Sequence, residues 1–388
     1  MTDFMNYTET FEEALRAIYS KDMIDGQLGL LAMTQFCETW NEFGRQKGDT
    51  VTKNVTREPK GNAAPLSEIE DADARAFGQY RMSLTIDEYG ETFGLTRRLR
   101  ELAYIDVVAD RVRTVARSLK RTQERLCQIA AWNHPNKMYA DDATGFATLS
   151  SGDVFDTAEL LRCVKSLDRV NAARFANQYV TVFHPDVKYS IMDEAGGAWL
   201  PTKQYSDPLD LYNNEIGAWR SSRFVESTLA RLPNAGDQND GDAVVTTLAA
   251  NVTRGDREFT VASATGLEEG MEFSVGVPNV IDPEDSDYDP TTEEVVIGGI
   301  NGTTITLDDE SYFHHDHQSG DDVVFAPDIF PVTVMGPGAL AYCVAVPPEL
   351  VIAPPVDRLK RFDYLGHYGI YGYGIARRWQ MRTLFVRA

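Results

Sequence analysis

The run YVTVFHPDVKYSIMDE, residues 179–194, limits the possible folds more than any other stretch of the chain. Tyr179, Val180, Val182 and Phe183 form an apolar run that stops at His184-Pro185-Asp186. A short apolar run ended by a breaker reads as a buried strand. Pro185 suits the first turn of a helix and Asp186 complements the positive end of its dipole, so PDVKYSIMDE opens a helix. Before it, DTAELLRCVKSLDRVNA has amphipathic spacing with Asp156 or Thr157 as cap; after it, Arg223–Thr228 reads as a short strand. Residues 156–232 thus alternate as in an α/β domain. A histidine and an aspartate at a strand end can be a catalytic or metal pair. No HExxH, GxSxG or second histidine at ligand spacing lies nearby, and the strand-to-helix junction accounts for all three residues without chemistry.

Helical spacing also marks residues 6–47, through Phe11, Leu15, Ile18 and Tyr19, then Leu31, Phe36, Trp40 and Phe43, with Gly26 and Gly29 dividing two helices. This arm packs on its own body or on a neighbouring chain. Residues 48–78 are polar, contain two prolines and offer only a short alternation from Val51 to Val55, a long excursion of the kind that is functional or partner-bound. RMSLTIDEYGETFGLT (81–96) alternates through Met82, Leu84 and Ile86 and reads as one or two strands. A long helix is expected over 101–132, with an apolar stripe of Val108, Val112, Val115, Leu119, Leu126 and Ile129. Arg113, Arg117, Arg121 and Arg125 step along another face of it. That row is a solvated face, a surface pairing with acidic residues of an adjacent copy, or a contact with nucleic acid.

Residues 235–330 change character. NAGDQNDGD has linker composition, and short strands and turns follow, with Asn301-Gly302 between two alternating runs as a hairpin signal. We read a small all-β module inserted into the α/β domain, whose thread resumes at IFPVTVMGPGALAYCVAV. The apolar, glycine-rich C-terminal text from Tyr364 onward is expected to be paired within a sheet. GIYGYG there does not lie between a strand and a helix, so it is no phosphate loop.

Few chemical sites are suggested. His314, His315 and His317 in SYFHHDHQSG are residue types of a transition-metal site, but no scaffold is evident and a solvated loop is favoured. Asp282, Glu284, Asp285, Asp287 and Asp289 could offer oxygens to a hard cation, yet the EF-hand glycine and terminal glutamate are lacking, so a solvated acidic loop is favoured. No catalytic residue, cofactor or metal is assigned. Cys37, Cys127, Cys163 and Cys343 are far apart with no CxxC pairing, and read as buried thiols in a reducing compartment rather than staples or zinc ligands. The net charge of −22 argues against nucleic-acid binding through the overall field, and ten lysines against twenty-seven arginines hint at a salty habitat. No apolar run approaches a membrane span, and the acidic N-terminus MTDFMNYTETFEEALRAIY does not read as a signal peptide.

The segment from Tyr179 to Leu232 closely resembles the major capsid proteins of tailed bacteriophages, in the family typified by phage N4. The matching features are the strand end Phe183–Val187, the Tyr205-Ser206-Asp207-Pro208 segment, the Asn214-Glu215-Ile216-Gly217 turn and the Arg223–Thr228 strand. LTIDEYGETFGLTRRL upstream and VTVMGPGALAYCVAV downstream are similar to the family's strands. The match is good over about 80–232, fair over 330–388 and poor over the N-terminal arm, and the β insert is absent from the plain family pattern. The resemblance implies an α+β protein of the Hong Kong 97 capsid fold: N-terminal arm 1–47, extended loop 48–80, peripheral domain with spine helix 81–150, and axial domain 151–234 and 331–388, with the β insert at 235–330. It implies a non-enzymatic subunit of an icosahedral virion shell, built in the host cytoplasm as pentamers and hexamers. Its partners would be further copies of itself, scaffold, portal and decoration proteins, and packaged double-stranded DNA on the inner face, with no membrane. Arg113, Arg117, Arg121, Arg125, Trp40 and Phe43 are then the subunit-interface candidates. Two readings from other classes stand beside it: a β-module adhesin or carbohydrate-binding protein, and a metal-dependent enzyme built on the histidine cluster.

Overall fold

A computed structural model of the chain describes residues 5–6, 32–40, 48–56, 76, 78–102, 107–141, 143–202, 212–282, 285–309, 311–353 and 361–388. In chain order come β1 (Met5–Asn6), a 3-10 turn (Thr34–Phe36), β2 (Glu38–Trp40), β3 (Thr50–Thr56), β4 (Gln79–Thr85), β5 (Asp87–Thr96), α1 (Arg97–Leu102), α2 (Val107–Trp132) and β6 (Lys137–Tyr139). Then follow α3 (Thr157–Asp168), β7 (Tyr179–Phe183), α4 (Pro185–Ala195), β8 (Leu200–Pro201), β9 (Glu215–Trp219) and β10 (Ser222–Glu226). The next six strands are β11 (Val244–Thr247), β12 (Glu258–Thr260), β13 (Glu272–Val275), β14 (Glu293–Asn301), β15 (Thr304–Leu307) and β16 (Asp322–Phe325). Four more close the order: β17 (Phe330–Met335), β18 (Leu340–Ala353), β19 (Phe362–Ile375) and β20 (Met381–Val386).

The largest sheet has seven strands in the order β6-β20-β17-β7-β10-β9-β8. Every residue of β7, β17 and β20 is buried, as an apolar run without alternation requires when both faces are covered. Asp156 caps α3 by accepting the Glu159 N–H at 2.8 Å. His184 caps α4: its Nδ1 accepts the Asp186 N–H at 3.3 Å, with Pro185 in the first turn, so the junction residues serve the backbone. Only Asn214 of the expected Asn214–Gly217 turn has turn geometry (φ 60); Glu215–Gly217 already belong to β9. Gly217 is required there because a Cβ would stand 2.4 Å from the Trp199 indole nitrogen. Between β9 and β10, Arg223 grips Glu215 in a two-pronged pair of 2.7 and 2.8 Å. The two side chains are only 5% and 0% exposed.

The second sheet runs β1-β5-β19-β18-β2. Helix α2 lies across β19 and β18, and Ser118 ties it to β5 through a 2.6 Å hydrogen bond to Glu91. The alternation at 81–96 resolves into two strands separated at Ile86. Strand β4 pairs antiparallel with β3, so the described ends of the polar excursion form a two-stranded ribbon, with Thr50 opposite Thr85 and Thr56 opposite Gln79.

Two expectations fail in this region. Phe36 and Trp40 lie not on a helix but in a 3-10 turn and a strand. Long-range contacts override the local spacing: Phe36 meets Tyr212 edge-on at 4.8 Å, and β2 joins β18 in parallel. Residues 7–31 and 41–47 of that arm, including Phe11, Leu31 and Phe43, lie outside the described residues, as does Tyr205–Pro208. In α2 the apolar stripe is not the buried face. Of the expected residues with described side chains, only Val115 is fully buried, alongside Glu124, Cys127, Gln128, Ala131 and Trp132. The helix is covered on a second side by residues 32–36, which moves its buried face.

The third sheet, β11-β16-β13-β14-β15-β12, is antiparallel throughout and built from one continuous segment. Its own core centres on Phe259, Phe273, Val275, Ile305, Phe313 and Val323. Asn301-Gly302 turns β14 into β15, with Gly302 at φ +65, a conformation that favours glycine. The segment leaves and rejoins the seven-stranded sheet at a single point. Leu232 and Ile329 exchange both backbone hydrogen bonds, at 2.8 and 3.0 Å, and Gly236 N–H reaches Pro327 O at 2.9 Å.

Candidate functional sites

Glu293, at the start of β14, organises the histidine-rich loop. Its carboxylate accepts the backbone N–H of His314 at 2.8 Å and of His315 at 3.1 Å, and meets His317 Nε2 at 2.8 Å. Burial would raise its pKa, but the His317 contact and the two backbone donors outweigh that and hold it below the usual glutamate value. His317 is not solvated: it is 2% exposed and bridges to Val252 within the module, while His314 and His315 point to solvent. The three rings therefore do not converge on one point. Carboxylates of the acidic loop likewise accept from the protein's own donors. Asp282 accepts from Asn133 Nδ2 at 2.8 Å, Asp285 from the Asp287 N–H at 3.1 Å, and Asp289 from the Thr291 N–H and hydroxyl at 2.8 and 2.6 Å; Glu284 lies outside the described residues. Among the described residues, no group of three or more His, Cys, Asp or Glu is placed to hold a metal ion, and no helix is long and apolar enough to cross a membrane.

The arginine row of α2 divides. Arg113 and Arg121 are exposed and Arg117 is half-buried, all along one surface. Arg125 turns inward, donating to Arg231 O at 3.3 Å with its guanidinium 5.4 Å from the Trp132 ring. With Ile129, Trp132, Tyr288 and Glu294 it lines a cavity of about 270 Å³ between the helix end and the six-stranded module. Arg231 fastens that junction, 2.7 Å from Glu272 and 2.6 Å from Asp328. Burial disfavours its charge, but those two carboxylates more than restore it. Trp40 is 2% exposed and packs among Leu84, Ile86, Ala341 and Cys343 of its own chain, with the Lys53 ammonium 4.2 Å from its ring.

One group escaped the sequence reading. Glu124 is 1% exposed on α2, and its carboxylate accepts the backbone N–H groups of Ala32, Met33 and Thr34 at 3.2, 2.7 and 3.1 Å. Gln128, one turn on, donates to the same carboxylate at 3.3 Å. The available signal was two polar residues four apart beside Cys127 and Ala131.

No family model matches the sequence, and no curated protein matches it. Solved structures do. The capsid of Ralstonia phage GP4 superposes with a TM-score of 0.60 at 9% identity, over 96% of this chain and 95% of that chain. The capsid asymmetric unit of cyanophage Pam1 gives a TM-score of 0.54 at 10% identity, over 100% and 99% of the two chains. The capsid structure of cyanophage P-SCSP1u gives 0.54 at 8% identity, over 97% and 94%. At such identities the likeness defines the fold: a tailed-phage major capsid fold, mixed α/β with more strand than helix.

Proposed function

We propose that the chain is the major capsid subunit of a tailed phage of the N4 type, assembling as pentamers and hexamers into an icosahedral shell around double-stranded DNA. The observation that carries this is the end-to-end likeness to phage capsid chains, which spans nearly the whole of both partners. In this reading the seven-stranded sheet with α3 and α4 is the axial domain, and α2 on the β5-β19-β18 sheet is the peripheral domain with its spine helix. The β3–β4 ribbon is the base of the extended loop that lies over a neighbouring subunit, and the six-stranded sheet is an insertion displayed on the shell. The work is mechanical, resting on repeated, symmetric interfaces rather than on a catalytic centre. Arg113, Arg117 and Arg121 then meet acidic residues of adjacent copies, a favourable pairing for a chain of net charge −22. Scaffold, portal and decoration proteins are the further partners, and the virion is the location.

Negative-stain imaging of particles that contain the chain tests the proposal. Closed shells of regular diameter in which this chain is the most abundant protein are expected. Its absence from the shells, or its presence only as small soluble oligomers, overturns the proposal.

A further inference from the structure

Two of the four cysteines, ninety positions apart in sequence, meet in the fold. The sulfurs of Cys37 and Cys127 are 3.3 Å apart. A disulfide needs about 2 Å, a difference that small side-chain rotations can cover. The approach is fixed from both sides of Cys37. Upstream, Glu124, three residues before Cys127 on the same helix, holds the N–H groups of Ala32, Met33 and Thr34. Downstream, β2 begins at Glu38 and is paired with β18 through Ala341, Tyr342 and Cys343. Cys37 is partly exposed, whereas Cys127 is wholly buried; both are free thiols.

We infer that Cys37 and Cys127 are a disulfide-forming pair, oxidised by small-molecule disulfides, whose bond fastens the N-terminal segment to helix α2. The accessible Cys37 thiolate attacks one sulfur of the reagent, forming a mixed disulfide and expelling one equivalent of small thiol. Cys127, giving up its proton, then attacks the Cys37 sulfur, forms the Sγ–Sγ bond and expels the second equivalent. The two protein thiols lose two electrons and two protons, and the small disulfide is reduced to two thiols. The order of steps follows from the surroundings: burial, then the adjoining Cys37 and Glu124, keep the Cys127 thiol protonated, so the exchange starts at Cys37. The closed loop spans the described β3–β4 ribbon and β5, so the bond ties together two points of the fold ninety residues apart.

The test uses the full-length chain incubated with oxidised glutathione, then alkylated in denaturant and digested with trypsin. The expected result is a linked pair of peptides, residues 22–45 and 126–137, as the main disulfide product, lost on reduction and absent from Cys37→Ser. Cys163→Ser and Cys343→Ser retain it. Full alkylation of Cys37 and Cys127 after oxidation overturns the inference, and so does glutathione stalled on Cys37 with no linked peptide. Either result stands apart from whether the chain builds shells.

Discussion

Replacing Glu124 with alanine should free the segment 32–36 from α2 while leaving the rest of the fold intact. The carboxylate is the acceptor for three backbone donors at 2.7–3.2 Å. If those N–H groups stayed buried, the loss would be that of three charge-assisted bonds, roughly 5–9 kcal/mol. The segment has an easier response, which is to lift away and hydrate its amides. That leaves a net loss of about 1 kcal/mol per bond, or about 3 kcal/mol for the docked state. Opening that precedes exchange then becomes easier by that amount, so the amides of Ala32, Met33 and Thr34 should exchange with deuterium roughly 150-fold faster. Peptides covering β7 supply the unchanged reference. Glu124→Gln keeps one acceptor oxygen but turns an NH₂ toward the same donors, and should fall between, at roughly 10-fold. Exchange at 32–34 within about threefold of wild type in Glu124→Ala would refute the claim that this carboxylate holds the segment.

Three further perturbations probe other parts of the molecule. Glu215→Ala strands the buried Arg223 guanidinium and should cost about 3–5 kcal/mol in chemical denaturation, whereas Glu215→Leu with Arg223→Met recovers most of it; a single-variant loss below about 1 kcal/mol contradicts this. The native pKa of Glu293 lies below its reference value of 4.5, so its contribution is complete above that pH and is lost as pH falls through the native value. Glu293→Gln should therefore melt lower than wild type near neutral pH and show a flatter decline into acid; identical neutral melting curves would count against it. Reversing charge at both Arg117 and Arg121 to Glu should block shell assembly, as seen by sedimentation. Normal shells with impaired DNA packaging would instead place that row against the genome.

What the sequence revealed was whatever is set by neighbours along the chain. The end of β7, the helix opened by Pro185 and Asp186, and the Asn301-Gly302 hairpin depend on a few adjacent residues, and each takes the form that its local pattern implies. The strands of the six-stranded sheet were visible because their turn-rich text differs from the text on either side. The failures have the opposite cause. Phe36 and Trp40 have helical spacing, but β2 is settled by Ala341–Cys343, some three hundred residues away. His317 read as a loop residue because its partner Glu293 is on another strand. Glu124 was hidden because it serves backbone donors, which carry no side-chain signature. Cys37 and Cys127 were hidden by their distance in sequence.

The joint at Leu232 and Ile329 bears on the order in which the chain folds. Strand β17 sits in the middle of its sheet, between β7 and β20, yet just over a hundred residues separate it from β10. Bringing it into place through an unfolded connection means closing a long loop; a six-stranded unit that has already folded presents both ends side by side. Shrinking the effective loop from about a hundred residues to about four lowers the closure cost by about 3 kcal/mol. A segment whose own core is separate from the central sheet can in this way set the pace at which that sheet acquires its middle strand.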